Sequence, residues 1–292
     1  MYTGLSEILG HGNLGVDAFL FLSAVGLSRS FKNNSLGVFY WHRLRRVVIP
    51  YLVLALPFFA WYDFVVLNDG IGQYVLNVST ANYWLTGQHP TWYIAFIIIA
   101  YLLFPFLYRM DAKTKHVSSI LIIVISVIGE YFMMKKGMEL YVHAERALSR
   151  IPVFLLGISV SDYVYSKAKI TWIQCWAWFI AGVALFGVVC FAGIHIVLVR
   201  YLYGLVGVSI IVCYSRIRSI GALPIVSRLF AWLGVFSLEL YVTHVLLIRI
   251  INVEGGWHLF HWWVWYLLVP VTSVCFALLL QKFTNLFGKR YV

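Results

Sequence analysis

The sequence predicts an all-α integral membrane protein with about nine transmembrane helices. Of the 292 residues, 62% are hydrophobic and only 11% are charged, and the mean hydropathy is +0.86. Soluble domains carry about 45–50% apolar and about 25% charged residues, so a water-soluble fold could not cover this much apolar surface. Because a chain in lipid must satisfy its backbone hydrogen bonds internally, these apolar stretches are expected to be helices.

Nine apolar stretches are long enough to cross the hydrocarbon core, which takes about 20 mostly apolar residues. They cover 13–29, 47–67, 91–108, 117–134, 149–166, 171–192, 194–214, 229–251 and 261–283. Because no internal repeat or low-complexity linker divides them, residues 1–292 are expected to form one domain.

Basic residues orient the predicted spans. If segment 30–46 is cytoplasmic, the loops on that side hold sixteen Lys and Arg residues and the opposite loops hold five. The positive-inside rule then predicts a cytoplasmic C-terminus and an N-terminus outside. The net charge of +11 is explained by loops that face anionic lipid, so no nucleic-acid partner is expected. An outside N-terminus without a cleavable signal sequence suggests one more helix upstream of Met1.

The four cysteines do not predict a metal site or a disulfide. They lie in apolar runs without CxxC spacing, as small buried hydrophobic side chains do. They are Cys175, Cys190, Cys213 and Cys275.

The first chemical feature is a basic cluster in FKNNSLGVFYWHRLRRVVIPYL, residues 31–52, just before Pro50 begins a span. Arg43 and Arg46 are three residues apart and would share a helix face. With Arg45, their planar guanidinium groups suit the bidentate binding of phosphates. A plain positive-inside anchor that reaches to lipid headgroups would give the same pattern.

Two ionisable residues within predicted spans are candidate catalytic groups. Asp17 lies in an apolar run near the outer end of the first span, where a charge is costly and suggests a functional site. A place in the first helical turn would also explain it. Ser237, Tyr241 and His244 form one polar stripe, which should face a cavity or the helix bundle. Hydrogen bonding between helices would also explain this stripe.

Aromatic residues gather at one predicted outer end, in QHPTWYIAFIIIAYLLFP, residues 88–105. An interfacial aromatic belt would place His89, Trp92 and Tyr93 there. A hydroxyl-rich sugar would also stack on such rings. Trp92 and Tyr93, with Tyr241 of the polar stripe, are therefore the candidate substrate-binding residues.

Further ionisable residues within the predicted spans imply a polar interior, for catalysis or for transport. They are Asp63, Glu130, Asp162, His195 and Arg200. A membrane transporter is therefore an alternative function. Transporters commonly show matching broken helices in two repeats, and no repeat is visible here. Nothing resembles a P-loop, a dinucleotide fingerprint or a GxSxG elbow.

Taken together, five segments resemble the membrane acyltransferase 3 family, the O-acetylases of cell-envelope glycans. GNLGVDAFLFLSAVGL is similar to the family's G-x-x-GVD-x-F-F-x-x-SG segment. FYWHRLRRVVIPYL is similar to its R-x-x-R motif before a proline-led span, matched by Arg43 and Arg46. Three later blocks match TWYIAFIIIAYLLFP, RIPVFLLGI and LGVFSLELYVTHVLLI, and all five follow the family order across essentially the whole chain.

The resemblance implies a membrane enzyme, normally of ten helices. No metal is expected, because two histidines without a third ligand, His258 and His261, are weak evidence for zinc. Such an enzyme moves an acyl group, usually acetyl from acetyl-CoA, to a hydroxyl of an extracytoplasmic polysaccharide or other envelope glycan. The resemblance further implies that Arg43 and Arg46 help to hold the CoA phosphates at the cytoplasmic side, with Arg45 between them.

The resemblance places the family's catalytic histidine outside this sequence. That histidine lies on the family's first helix, shortly before the GVD segment, and here the chain starts at Met1, about where that helix ends. His11 is only six residues before Asp17, too close for that role. The catalytic residue is thus unassigned, with Asp17 and His244 as candidates, and an inactive remnant is a second alternative to the enzyme.

Overall fold

The structure is a computed structural model, which describes residues 13–87, 89–166, 171–191, 197–219, 221, 223–255, 259 and 262–286. Within these residues the secondary structure is helical, and no strand is present. The predicted all-α fold class is therefore confirmed. His11, His195 and the upstream helix expected before Met1 lie outside the described residues.

The helices are numbered in chain order. They are α1 (Asn13–Asn33), α2 (Leu36–Arg43), α3 (Ile49–Trp61), α4 (Ile71–Val78), α5 (Ala81–Thr86), α6 (Trp92–Lys113), α7 (Val117–Lys135), α8 (Glu139–Leu148), α9 (Ile151–Ser159), α10 (Ser161–Tyr165), α11 (Trp172–Phe191), α12 (Val197–Ser219), α13 (Pro224–Val235), α14 (Ser237–Val253) and α15 (Trp262–Leu286). Two π-helical turns, Leu44–Val48 and Tyr62–Val66, follow α2 and α3.

Several described helices are long and apolar enough to cross a membrane, which makes the chain a multi-pass membrane protein. Four meet that standard: α6, α7, the stretch Leu36–Val66 and residues Val264–Thr284 of α15. A fifth span results if α13 and α14, which meet at 71°, are counted as one. The number of nine spans stays a prediction.

The helix Leu36–Val66 begins well before its predicted span, 47–67. Its 31 residues correspond to about 46 Å of helix, whereas the hydrocarbon core is about 30 Å thick. The basic residues before Val47 therefore continue the helix beyond the length that the core requires. The predicted span therefore covers only the apolar part of this helix.

Two predicted spans are interrupted in the structure. The predicted span 149–166 is divided between α9 and α10 at Val160, whose backbone (φ −91°, ψ 0°) leaves the helical region. The predicted span 229–251 is divided at Phe236 (φ −122°, ψ 24°), between α13 and α14. Hydropathy reports the apolar residues of such a span and not its backbone angles, which is why the sequence did not reveal these breaks.

The chain forms two compact units. The first comprises residues 1–35 and 103–227, and the second comprises residues 36–102 and 228–292. In the first unit α1 packs on α9 and α12, and α11 packs on α12. The α1–α9 crossing depends on Gly157, where a Cβ would lie 2.7 Å from the Phe21 carbonyl oxygen and 2.8 Å from the Ala24 Cβ.

In the second unit, α14 packs against α15 and α3, and α3 also packs on α4. Ile251, Trp265 and Val269 form a small core where α14 meets α15. The short helices α4 and α5 follow the second π turn in the chain. This unit therefore holds the basic cluster, the aromatic candidates and His244.

Candidate functional site

The basic cluster lies where α2 passes into the first π turn. Arg43 is the last residue of α2, and its Cζ atom lies 5.5 Å from the ring centre of Phe39 and 5.9 Å from that of Tyr101. Arg45 lies in the π turn, with its Cζ atom 4.7 Å from the Trp41 ring centre. Aromatic faces attract a guanidinium group at such distances, so these two side chains are held by neighbouring rings.

The π turn changes the expected geometry of the R-x-x-R motif. Arg43 and Arg46 share a face only if the helix between them is α-helical. The structure instead forms i→i+5 hydrogen bonds from Leu44 onward, which widens the turn that carries Arg45 and Arg46. Turns of this kind occur often at functional sites.

A groove lies beside Arg43 and is called here the Arg43 groove. Its volume is about 400 Å³. Arg43 is part of its wall, and most of the remaining wall is apolar. Its lining includes Gly37, Trp41, Arg43 and Val47 before α3, and Ile98 and Leu102 of α6.

The three aromatic candidates for substrate binding lie together in the second unit. The Tyr93 N–H donates to the Tyr241 hydroxyl oxygen at 3.4 Å, and the two ring centres are 5.0 Å apart at 63°. The Trp92 ring centre lies 6.2 Å from that of Tyr93. Residues that are 148 positions apart in sequence thus form one aromatic cluster.

His244 lies next to this cluster on α14. Its ring centre is 5.7 Å from that of Tyr241, and its Nδ1 atom is 3.3 Å from the Leu240 carbonyl oxygen. A carbonyl oxygen only accepts, so Nδ1 carries the hydrogen and the neutral ring has its lone pair on Nε2. Ser237, the third residue of the predicted stripe, donates instead to the carbonyl oxygen of Gly234.

Asp17 has a different environment, in the first unit. Its carboxylate oxygen Oδ1 lies 3.4 Å from the Nε atom of Arg150, and each side chain is 2% exposed. Arg150 also donates from Nη1 to the Ser149 hydroxyl at 2.7 Å. The first turn of α1 contains no acidic residue, so a first-turn position does not explain Asp17. The buried ion pair with Arg150 explains the position of Asp17.

The remaining ionisable residues of the predicted spans have varied partners. Glu130 of α7 accepts a short hydrogen bond from the Tyr201 hydroxyl. Asp162 is exposed and lies 2.5 Å from the ammonium group of Lys32, so it does not belong to a buried interior. The side chain of Arg200 lies outside the described residues. Among the described residues, no three His, Cys, Asp or Glu side chains are grouped so that they could hold a metal ion.

Sequence reasoning missed a buried polar network in the second unit, called here the His89 network. Asp63 of the second π turn is fully buried and accepts a hydrogen bond of 2.8 Å from the Asn77 side chain. The side-chain oxygen of Asn77 accepts from Asn82 at 2.7 Å. His89 lies 3.0 Å from the Asn77 carbonyl oxygen, which requires a hydrogen on Nε2.

His89 is held in its neutral form by this network. Its Nδ1 atom accepts from the backbone N–H of Thr91 at 3.3 Å. Burial lowers the pKa of His89 to about 4; the hydrogen bond to Asn77 opposes this, and the charge of Arg249 adds to it. Both ring nitrogens are engaged, so the network gives His89 a structural role. The only signal in the sequence was the presence of Asp63 and His89 in apolar surroundings.

Comparison with known families gave a match that covers most of the chain. A family model for an acyltransferase domain, that of acyltransferase 3, matches residues 2–282. Comparisons with curated proteins and with solved structures gave no match. The matched range includes the basic cluster, the aromatic cluster, His244 and Asp17.

Proposed function

The chain belongs to the acyltransferase 3 family, and from that membership we propose that it acylates a hydroxyl group of an extracytoplasmic polysaccharide or other envelope glycan. The proposed donor is acyl-CoA, with acetyl-CoA as the usual form. The observation that carries the proposal is the family match over residues 2–282. A multi-pass membrane acyltransferase has access to a cytoplasmic donor and to an acceptor on the other side.

The proposed site for the CoA phosphates is Arg43 with Arg45 and Arg46. Guanidinium groups bind phosphate oxygens bidentately, and Arg43 and Arg45 are held by aromatic rings. In the proposed orientation this cluster and the C-terminus are cytoplasmic, as the distribution of Lys and Arg predicts.

The proposed acceptor site is the cluster of Trp92, Tyr93 and Tyr241. Sugar rings stack on aromatic faces, and the contact between Tyr93 and Tyr241 holds two of these rings together. A sugar stacked on this cluster would lie beside His244, whose ring centre is 5.7 Å from that of Tyr241.

We propose His244 rather than Asp17 as the general base. The Nε2 lone pair of His244 would take the acceptor proton as the hydroxyl oxygen attacks the thioester carbonyl carbon. The carbon–sulfur bond then breaks, and CoA leaves as the thiol with the proton that His244 took, which returns His244 to its neutral form. Asp17 is less suited to this role. The buried guanidinium group of Arg150 stabilises its carboxylate form, so Asp17 has less tendency to accept a proton.

The donor site is tested with the double variant Arg43→Gln/Arg46→Gln. Each charge-assisted hydrogen bond to phosphate contributes about 1.5–3 kcal/mol, so the variant should bind acetyl-CoA at least about 100-fold more weakly. The matched control is Arg218→Gln/Arg228→Gln, which removes the same charge from two exposed residues of the same predicted side. Binding is measured on the purified proteins, and acetyl transfer is measured with envelope glycans. Unchanged acetyl-CoA binding in the first variant would refute the donor site, and transfer to no envelope glycan would refute the proposed reaction.

A further inference from the structure

We propose that the Arg43 groove is a binding site for a membrane phospholipid with an anionic headgroup. Its acyl chain would lie in the groove and its phosphate would contact Arg43 and Arg45. This proposal goes beyond acyl transfer and does not depend on it. Because Arg43 and Arg45 are also the proposed site for the CoA phosphates, the lipid and the acyl donor would compete for these two residues. It rests on the form of the groove, on the charges beside it and on the length of the helix that carries it.

The groove is suited to a hydrocarbon chain. Its volume of about 400 Å³ is bounded mostly by apolar side chains. Two of these, Trp41 and Leu102, are 48% and 60% exposed, so the groove opens to the surroundings of the helix. An acyl chain that lies in the groove would pack against these apolar side chains and gain dispersion contacts with them.

The charges beside the groove are suited to a phosphate. Arg43 is part of the wall, and Arg45 lies over the ring of Trp41, which is also part of the wall. One ligand can therefore contact the guanidinium groups and the apolar wall together. Basic residues near a membrane surface contribute about 1 kcal/mol each to the binding of anionic lipids.

The helix that carries these residues is longer than the hydrocarbon core. At about 46 Å for 31 residues, Leu36–Val66 exceeds the core by about 16 Å. When residues 47–67 span the core, as their hydropathy predicts, the arginines lie at the level of the lipid headgroups. Trp41 is then an interfacial tryptophan, the common position of this residue in membrane proteins.

A phospholipid fits this arrangement better than the acyl chain of acyl-CoA does. In a phospholipid the phosphate is close to the acyl chains, just as Arg43 adjoins the apolar wall. In acyl-CoA a pantetheine arm with two amide groups separates the phosphates from the acyl chain. Those amides would need hydrogen-bond partners, and an apolar wall supplies few.

Gly37 offers a way to fill the groove without disturbing the fold. It lines the groove, and a Cβ added there would meet no atom within 4 Å. Gly37→Leu therefore places a side chain in the space proposed for the lipid. Gly72→Leu is the matched control, because Gly72 is also helical, also has open space around it, and lies outside the groove.

The experiment counts lipids bound to the purified full-length protein by native mass spectrometry, with phosphatidylglycerol or phosphatidylcholine added. We expect phosphatidylglycerol to bind more tightly than phosphatidylcholine. Gly37→Leu should weaken it about tenfold or more, and Gly72→Leu should leave it unchanged. Arg45→Gln should weaken it about fivefold, the loss expected for one basic group. Arg46→Gln, an exposed neighbour outside the groove, is the charge-matched control and should have a smaller effect.

Three results would overturn the proposal. The first is equal binding of the two lipids, which would show no preference for an anionic headgroup. The second is equal binding to the Gly37→Leu and Gly72→Leu variants, which would place the lipid elsewhere. The third is displacement of the lipid by octanoyl-CoA but not by acetyl-CoA, which would assign the groove to the acyl chain of the donor.

Discussion

Asp17 and Arg150 form a buried ion pair, with the carboxylate oxygen Oδ1 3.4 Å from the guanidinium Nε atom and both side chains 2% exposed. The pair joins α1 to the start of α9, the two helices that cross closely at Gly157. A buried charge without its partner is strongly destabilising. The structure therefore gives Asp17 a role in holding these helices together.

The first prediction tests this pair. Asp17→Asn and Arg150→Gln should each lower the free energy of unfolding by about 3–5 kcal/mol, because each removes one partner of a buried ion pair. The double variant should be more stable than either single variant, since it buries no charge. Denaturant unfolding of the detergent-solubilised protein, followed by tryptophan fluorescence, measures these differences. If Asp17→Asn were as stable as the wild type and yet inactive, Asp17 would be a catalytic group instead.

The second prediction concerns the α1–α9 crossing. Gly157→Ala should lower the free energy of unfolding by about 1–3 kcal/mol, because the new Cβ overlaps the Phe21 backbone and the Ala24 side chain. Gly129→Ala is the control, since Gly129 lies in α7 with no atom within 4 Å of an added Cβ. Alanine has the higher helix propensity, so the control should be neutral or more stable by up to about 1 kcal/mol. Similar losses in both variants would contradict the close crossing.

The third prediction is a pH dependence due to His89. Its pKa is lowered from 6.5 to about 4 in the folded protein, so the unfolded chain binds more protons between these values. Stability should therefore be complete above about pH 6.5 and should fall by up to about 1.4 kcal/mol per pH unit as the pH drops toward 4. Unfolding measured from pH 4 to 8 gives this slope.

His89→Gln is the variant that checks the origin of the slope. Glutamine can donate to the Asn77 carbonyl oxygen but does not titrate, so the variant should lose most of the pH dependence in this interval. A slope that remained unchanged in His89→Gln would assign the titration to another group.

The fourth prediction concerns His244. His244→Asn keeps a donor near the Leu240 carbonyl oxygen but removes the Nε2 lone pair. We expect acyl transfer to fall by about 10²–10⁴-fold, the usual contribution of a general base, with acyl-CoA binding retained. Turnover and donor binding are measured on the same preparation, with Ser237→Ala as a control on the same helix. Full activity in His244→Asn would place the base at another residue.

The sequence was sufficient for those parts of the fold that depend on long apolar runs. Residues 91–108 and 117–134 were predicted as spans, and the structure has α6 at Trp92–Lys113 and α7 at Val117–Lys135. Hydropathy determines such helices directly, because each apolar residue contributes on its own. The breaks at Val160 and Phe236 depend on backbone angles, and hydropathy does not report these.

The candidate site was predictable only in part, because side-chain partners depend on packing. Tyr93 and Tyr241 were both candidates for substrate binding, but their contact joins helices that are distant in sequence. The pairing of Asp17 with Arg150 also required the α1–α9 contact. The His89 network was missed because neutral amides such as Asn77 give no signal in a charge or hydropathy profile.

The two π turns also change the angular phase of the long helix that contains them. A residue of α-helix advances by about 100°, and a π turn accommodates one residue more than an α turn does. Each of the turns at Leu44–Val48 and Tyr62–Val66 therefore adds a rotation of about 100°. Together they rotate α2 relative to the residues after the second turn by about 200°, compared with an uninterrupted α-helix. Deleting one residue within either turn would keep a continuous helix but rotate everything on one side of it. The direction of Arg43 relative to α3 is thus fixed by the number of residues in the first turn as well as by the identity of the side chain.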